Sequence, residues 1–283
     1  MNRIATLITC RNRKAQTLAC LAALFKNTLP DGYSLEVFLV DDGSTDDTEQ
    51  AVRGHYPWVN IIMGDGYLFW NGGMRVAFAA AMEKGFDYYL WLNDDTLLYP
   101  TALDTLITTS RDLLVQQGRI AIVVGSTHDG NDGGLTYGGV HRPHKWKATT
   151  FSLTAPRDEP VECETMNGNC VLVPGQVAKA VGNLEPRFVH SMGDMDYGLR
   201  ARMAGFSVWI APGFAGTCSN NAATGSFNDR NLTVSTRIRK MMGPKGLPLS
   251  SWRVFTQRHA GIFWPLFWLW PYAKIMFKGL VRK

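Results

Sequence analysis

Cysteine is scarce in this 283-residue sequence: five are present (Cys10, Cys20, Cys163, Cys170, Cys218), and no two stand as a C-x-x-C pair. An odd, scattered set excludes a disulfide framework and a cysteine-rich zinc site. It leaves small buried side chains in a reducing compartment, so a cytoplasmic setting is expected. Long apolar runs are also missing. The N-terminus opens on a short strand-like run, 4–8, rather than a leader, and the most apolar stretch, 261–277, is interrupted by Pro265, Pro271 and Lys274. That stretch is too short and too broken to be a membrane span. Charged residues make up only 19% of the chain against 46% hydrophobic, with no low-complexity tract, which excludes wholesale disorder and allows a large core. The turn after the first strand, Thr9-Cys10-Arg11-Asn12-Arg13, has no glycine, which excludes the phosphate turn of a nucleotide-dependent dehydrogenase. The net charge of +5 suits an anionic partner such as a nucleotide or a phospholipid surface. No recognition helix or RNA-binding motif stands out, so nucleic acid is not expected as a partner.

What is present is an alternation. Apolar runs at 4–9, 35–40, 59–63, 88–92 and 120–124 read as strands. Helical spacing occupies 17–25, 45–53, 75–84 and 100–114, with Ser44 or Thr45 as the expected cap of the second helix. Strands alternating with helices of this length predict an α/β fold with a doubly wound, mostly parallel sheet. From 126 to 159 the pattern weakens to loops or edge strands. One or two strands are expected over 161–173, a helix over 194–204 and a last strand over 206–210. In such sheets ligands bind beyond the carboxyl ends of the strands. Asp41-Asp42 and Asn93-Asp94-Asp95 both fall there, as does the stretch from Thr9 to Arg13.

Each acidic cluster has a use in transferring a group from a diphosphate. A divalent cation, Mg2+ or Mn2+, neutralises such a leaving group and needs only one or two carboxylates beside phosphate and water. Asp95 is the expected metal ligand, with Asp94 nearer the ribose. One carboxylate of Asp41-Asp42 could accept hydrogen bonds from the nucleoside. In His190-Ser191-Met192-Gly193-Asp194-Met195-Asp196, Asp194 is placed to act as a general base. Asp196 suits a supporting pair with Arg200 four residues on. Taken singly, the clusters also read as acidic turns or helix caps.

Taken together, Asp41-Asp42-Gly43-Ser44-Thr45-Asp46, Leu92-Asn93-Asp94-Asp95 and Gly193-Asp194-Met195-Asp196-Tyr197, with Leu199-Arg200 and Gly205, resemble the ordered motifs of family 2 glycosyltransferases. Leu7 to Arg13 also matches that family's first strand and nucleotide loop, and the resemblance covers about residues 3 to 218. It implies a GT-A fold (Rossmann-like) and an inverting transfer from a nucleotide-sugar. Thr9, Cys10, Arg11, Arg13, Asp41, Asp42 and Asp94 would serve the donor, Asp95 the metal and Asp194 the base. Trp70 to Arg75 resembles a donor-facing segment of rhamnosyltransferase-like bacterial members, which adds Asn71, Gly72 and Arg75 to the donor set. Asn167, Asn169, His190, Asp196 and Arg200 are expected on the acceptor side or in its support. Three positions depart from the pattern: Gly193 stands for the usual Glu, Cys218 lies where many members place a histidine, and Arg75 replaces an Asn. The Q-x-x-R-W motif of processive synthases and the G-x-G-x-R of sugar nucleotidyltransferases are both missing.

Residues 1–220 are therefore expected to form the catalytic domain, with 1–125 holding the donor and 126–220 the acceptor. Residues 221–283 are expected to form a helical extension. From Pro248 onward, Trp252, Trp264, Trp268, Trp270 and Phe277 mix with Arg253, Arg258, Lys274, Lys278, Arg282 and Lys283. That mixture suits the cytoplasmic face of the inner membrane, or packing on the domain, or contact between two copies. By analogy the donor is dTDP-rhamnose-like or a UDP-hexose. The acceptor is a glycan, carried on a lipid, in surface-polysaccharide synthesis such as O-antigen or capsule. A degenerate, non-catalytic nucleotide-binding subunit is the alternative that Gly193 and Cys218 raise.

Overall fold

A computed structural model describes residues 1–144, 146–220 and 225–280, with side chains to 277. Arg282 and Lys283 of the basic tail, and the side chain of Lys278, lie outside the described residues. The chain begins β1 (Asn2–Cys10), α1 (Lys14–Phe25), β2 (Tyr33–Asp41), α2 (Thr48–His55), β3 (Asn60–Met63), α3 (Phe69–Lys84), β4 (Tyr88–Leu92), β5 (Leu97–Leu98), α4 (Ala102–Gln117) and β6 (Ala121–His128). Short strands follow: β7 (Leu135–Tyr137), β8 (Gly139–His141), β9 (Ser152–Leu153), β10 (Val161–Cys163), β11 (Thr165–Met166) and β12 (Cys170–Pro174). The remainder is α5 (Gly175–Val181), α6 (Gly193–Met203), β13 (Ser207–Thr217), α7 (Val234–Met241), α8 (Leu249–His259) and α9 (Trp264–Leu280).

The main sheet runs β10-β13-β6-β12-β4-β1-β2-β3. Pairs β4–β1, β1–β2, β2–β3 and β6–β13 are parallel, while β12 enters antiparallel between β4 and β6. Successive residues of β1 feed opposite faces. Ile4 and Ile8 join a core with Leu21 of α1 and Leu106 of α4, whereas Ala5 and Leu7 join one with Phe78 of α3 and Tyr197 of α6. The sheet is thus covered on both faces, which is why its inner strands are apolar at nearly every position. The expected mostly parallel α/β sheet with helices on both faces is what is found.

Several boundaries differ from the sequence-based expectation. The third helix starts at Phe69, not at 75. Gly72-Gly73 lies within the helix rather than before it: a Cβ on Gly73 would lie 2.0 Å from Thr9 Oγ1, so the glycine lets α3 cross close over β1. The second helix starts at Thr48, and neither Ser44 nor Thr45 caps it. Their polar groups go to Asn12 instead: Asn12 N donates to Ser44 Oγ at 2.8 Å and Thr45 N donates to Asn12 Oδ1 at 2.7 Å. The stretch 161–173 holds three strands rather than one or two. The last strand does not stop at 210 but runs on to Thr217, its pairing with β6 breaking register between Ile210 and Phe214. That extension brings Cys218 to the rim where Asp95 stands.

The C-terminal helices pack against the end of the domain that carries α6. Trp252 and Phe255 of α8 share a cluster with Phe188, Met192 and Leu199, and Trp268 and Tyr272 of α9 close over it. Among the described residues, no helix is long and apolar enough to cross a membrane.

Candidate active site

Four rim segments build the site. At the end of β2, Asp41 Oδ1 accepts from Ser44 N at 2.8 Å, and its buried Oδ2 has no hydrogen-bond partner among the described residues. Asp42 organises the loop that leads into α3: Oδ1 accepts from Gly66 N and Leu68 N at 2.8 and 3.2 Å, and Oδ2 from Phe69 N at 3.0 Å. Arg11 lies across the same loop and donates to Gly66 O. Thr9 sits at the end of β1 facing α3. Cys10, one residue on, turns into the opposite core, so its side chain is not at the rim.

After β4, Asn93 to Thr96 make a turn closed by Thr96 N on Asn93 O at 3.1 Å. Asp94 is buried and Asp95 more open, and Arg13 pairs with both: Nε lies 3.3 Å from Asp94 Oδ2 and Nη2 2.5 Å from Asp95 Oδ2. Burial pushes the Asp94 carboxyl up to about 7, with Arg13 pulling the other way and Asp95 adding to the rise. On the far side, the Cys218 thiol donates to Asp95 Oδ1 at 3.5 Å and accepts from Asn169 Nδ2 at 3.5 Å. Burial, then the charge of Asp95, push that thiol up to about 12, so in this arrangement Cys218 is a neutral donor to Asp95.

The third segment is the Asn167-Gly168-Asn169 link between β11 and β12. Gly168 N donates to Asp194 Oδ2 at 3.0 Å. A Cβ there would lie 2.5 Å from the Trp70 ring and 3.3 Å from Asp194 Cβ. Asn167 N donates to Gly138 O at 2.9 Å, and Asn169 O accepts from Asn93 N at 3.0 Å. Trp70 then joins the acid motif to the segment that holds Asp194: its Nε1 donates to Asn93 Oδ1 at 2.7 Å while its ring lies on Gly168. Trp70 itself does not stand out as a site residue in the sequence. Its only signal there is membership of the segment that ends at Arg75.

Asp194 occupies the first turn of α6. Its Oδ1 accepts from Met195 N at 2.8 Å and its Oδ2 from Gly168 N. Burial raises the carboxyl above its ordinary value, and the two backbone N–H groups hold the rise back. Behind it, Asp196 is fully buried and tied three ways: Arg200 Nε at 2.7 Å, Arg258 Nη1 at 2.6 Å and His259 Nε2 at 2.9 Å. Arg200 also donates to Val181 O and Asn183 O at 2.8 and 3.0 Å. Neither Arg258 nor His259 is marked as a site residue by the sequence; they come from α8, far along the chain.

The remaining expected residues lie around this frame. Asn71 is wholly buried, its Nδ2 donating to Glu185 O and Phe188 O at 3.0 and 2.7 Å. A Cβ on Gly193 would fall 1.7 Å from Asn71 Oδ1, which explains why the residue before Asp194 is a glycine in this chain. Gly72 abuts Leu68, and Arg75 is half-buried one turn further along α3, its carbonyl accepting from Asn183. His190 is half-buried just before α6; burial, then Lys245, bring its imidazole down to about 4, so it is neutral near pH 7.

A divalent ion can be tested against this donor set. Among the described residues no group of three His, Cys, Asp or Glu is arranged to enclose one. Asp94 Oδ2 is buried without a hydrogen bond among the described residues, and Asp95 stands beside it at the more open edge. One or two carboxylates fit an ion whose other ligands are phosphate oxygens and water. They do not make a cage of protein ligands alone.

No protein of curated function matches the sequence in a direct search. Among solved structures, GalNAc-T7, in a complex with UDP, GalNAc and Mn2+, superposes with a TM-score of 0.59 at 14% identity, over 74% of this chain and 42% of that one. S. aureus TarS superposes at 0.57 and 12% identity, over 91% of this chain and 42% of that one. TarS 1-349 in complex with UDP gives 0.54 at 12%, over 91% and 70%. The chain therefore spans less than half the length of the first two, and likenesses at this identity show the fold alone. The profile of glycosyl transferase family 2 matches residues 6–171, which is more than half of the chain and takes in the rim from Thr9 to Asn169. This chain belongs to glycosyl transferase family 2.

Proposed function

We propose that the chain is an inverting glycosyltransferase that moves a sugar from a nucleotide-sugar to a hydroxyl of a glycan acceptor. One observation carries the reading. Trp70 and Gly168 form a continuous bridge from the Asn93-Asp94-Asp95 turn to Asp194, so a phosphate-side acid motif and a half-buried carboxylate share one cleft rim. Asp194 takes the proton of the acceptor hydroxyl. The freed lone pair of that oxygen attacks the anomeric carbon, and the bond from that carbon to the diphosphate breaks with its electrons on the leaving oxygen. Gly168 N–H and Met195 N–H fix the direction of the carboxylate. Asp41, with its free buried oxygen, and Arg11 receive the nucleoside side of the donor, and Arg13 lies where the diphosphate charge falls. Asp95, backed by Asp94, would hold Mg2+ or Mn2+ together with phosphate oxygens. When bound, such an ion supplies charge stabilisation of the leaving diphosphate.

The donor class is a dTDP-deoxyhexose such as dTDP-rhamnose, or a UDP-hexose, and the acceptor is a lipid-linked glycan of a bacterial surface polysaccharide. The complexes of GalNAc-T7 and of TarS 1-349 with UDP support a nucleotide-sugar donor. The test is Asp194→Asn, which keeps the shape and removes the base. Turnover should fall by about 100-fold or more, the usual worth of a positioned base. Donor binding measured by calorimetry should stay within a few-fold. Near-normal turnover in a correctly folded variant would remove Asp194 from the mechanism.

A further inference from the structure

The last part of the chain has its own electrostatic character. From Arg230 to the end there are eleven Lys and Arg and no Asp or Glu, whereas the preceding residues carry eighteen basic against twenty-four acidic. A mildly basic protein is therefore an acidic catalytic body joined to a strongly cationic segment. The segment is not a loose tail. Trp252 Nε1 donates to Phe267 O at 3.2 Å, and Trp268 Nε1 donates to Leu249 O at 3.1 Å. Tyr272 Oη donates to Leu247 O at 2.5 Å, so α9 is latched to α8 and the turn before it.

These latches use one side of α9 only. Trp268, Tyr272 and Ile275 face inward, and the side chains on the opposite face are apolar and open to solvent. Ile262 in the turn before the helix is 86% exposed, and Leu266, Trp270 and Phe277 are 69%, 62% and 63% exposed. Leu269 and Met276 complete the row. At 100° per residue these positions fall within roughly 140° of one another, which makes a single stripe along the helix. Cations border it: Lys274 is exposed at the stripe's edge, and exposed Arg253 of α8 places its guanidinium 5.7 Å from the Trp264 ring. Such a helix is built the wrong way out for water, because its apolar face looks away from the protein.

We infer that this stripe and its basic border are a docking surface for an anionic lipid bilayer. A helix lying in the interface plane buries an apolar face of this width among acyl chains, while Lys and Arg at its edges meet the headgroups and Trp sits between. With no helix able to span among the described residues, the attachment is peripheral. A second copy of the chain is a poorer occupant, since pairing two stripes would bring two segments of eleven cations together. The surface also has a fixed relation to the cleft. Arg258 and His259, at the end of α8, hold Asp196 two residues from Asp194, so the bilayer-facing helix pair and the base-bearing helix form one packed unit.

Flotation of the full chain with phosphatidylcholine vesicles, with and without an equal part of phosphatidylglycerol, tests this without any donor or acceptor. It is therefore separate from the transfer chemistry. The chain should float with the anionic vesicles, stay behind with the neutral ones, and release as salt is raised. Leu266→Glu/Trp270→Glu, at two open positions, should lose flotation at least tenfold while keeping its melting temperature. Arg253→Glu and Lys274→Glu should each weaken it by about fivefold or more, the effect of one cation at such a surface. Val115→Glu, on the exposed face of α4, should change nothing. Wild-type chain that stays behind with anionic vesicles, or a stripe variant that floats as well as wild type, would overturn the inference. So would a dimer of the wild type that becomes a monomer on Leu266→Glu/Trp270→Glu with no vesicle binding in either, since that result assigns the stripe to a second copy.

Discussion

Replacing Gly193 by alanine puts a methyl group where Asn71 Oδ1 now sits, 1.7 Å from the ideal Cβ position and 2.8 Å from Asn71 Cγ. Gly193 does not have positive φ and opens α6, so alanine suits the backbone there and would by itself help by up to about 1 kcal/mol. The whole penalty is therefore steric. Asn71 cannot swing aside freely, because its Nδ2 is held by Glu185 O and Phe188 O and the residue is fully buried. Overpacking of this kind costs about 1–3 kcal/mol. For a chain of this size that is a melting-temperature drop of about 2–10 °C. Asn71→Ala alone is also costly, since it strands two buried carbonyls at about 1–3 kcal/mol each. In that background, however, Gly193→Ala meets only a Cβ at ordinary contact distance and should be neutral or stabilising. The double-mutant cycle should thus show favourable coupling of about 1–3 kcal/mol. Thermal melts of the four proteins, followed by near-UV circular dichroism, provide the measurement. If Gly193→Ala costs as much in the Asn71→Ala protein as in wild type, the two residues do not compete for space and the account of Gly193 fails.

Acid stability should report the group behind Asp194. Burial would raise the Asp196 carboxyl, but the His259 hydrogen bond, then Arg200 and Arg258, outweigh it and hold it below its ordinary value. Hydrogen bonds from Arg187 and then Arg258, working against burial, bring Glu185 down to about 2. Groups lowered on folding contribute stability that is complete above the ordinary carboxyl range and is lost as pH falls through the folded values, so the melting temperature should fall steeply from about pH 4 toward pH 2. Asp196→Asn should melt lower at pH 7 and lose less on acidification; an acid limb as steep as wild type's would count against the assignment. At the acid motif, Asp95→Ala should abolish the part of nucleoside-diphosphate affinity that EDTA removes. Identical calorimetric titrations of wild type with and without EDTA would take Asp95 out of the metal role.

The fold was legible because its signal is local. A parallel sheet covered on both faces needs continuous apolar strands, and each of β1, β2, β4 and β6 shows one ending at a polar cluster. The boundaries that misled did so where a distant contact outranked a nearby preference. The helix expected from 75 starts at Phe69, and Gly73 belongs to it because Thr9 presses on that position. Ser44 and Thr45 look like caps until Asn12, from the previous strand's turn, is seen taking both. The extra length of β13 follows from its pairing with β6 and β5, which no periodicity in 211–217 announces.

The site divides along the same line. Carboxylates at strand ends stand next to one another in sequence, so Asp41-Asp42 and Asp94-Asp95 could be named, and Asp194 by its motif. What gives those residues their chemistry comes from elsewhere: Arg13 and Cys218 on Asp95, Gly168 on Asp194, Arg258 and His259 on Asp196. The two departures that look most like decay then have physical sense. Gly193 lacks a carboxylate because Asn71 fills its place, and Cys218 is a buried thiol that donates to Asp95. A site losing its function would be free to collapse or to drift toward apolar packing. Here Asp41 keeps a buried oxygen with no hydrogen-bond partner among the described residues, and the buried Asp94 Oδ2 is held by the Arg13 charge at 3.3 Å. Leaving a buried acceptor such as Asp41 Oδ2 without a hydrogen bond costs about 1–3 kcal/mol, a cost that drift toward apolar packing would have removed.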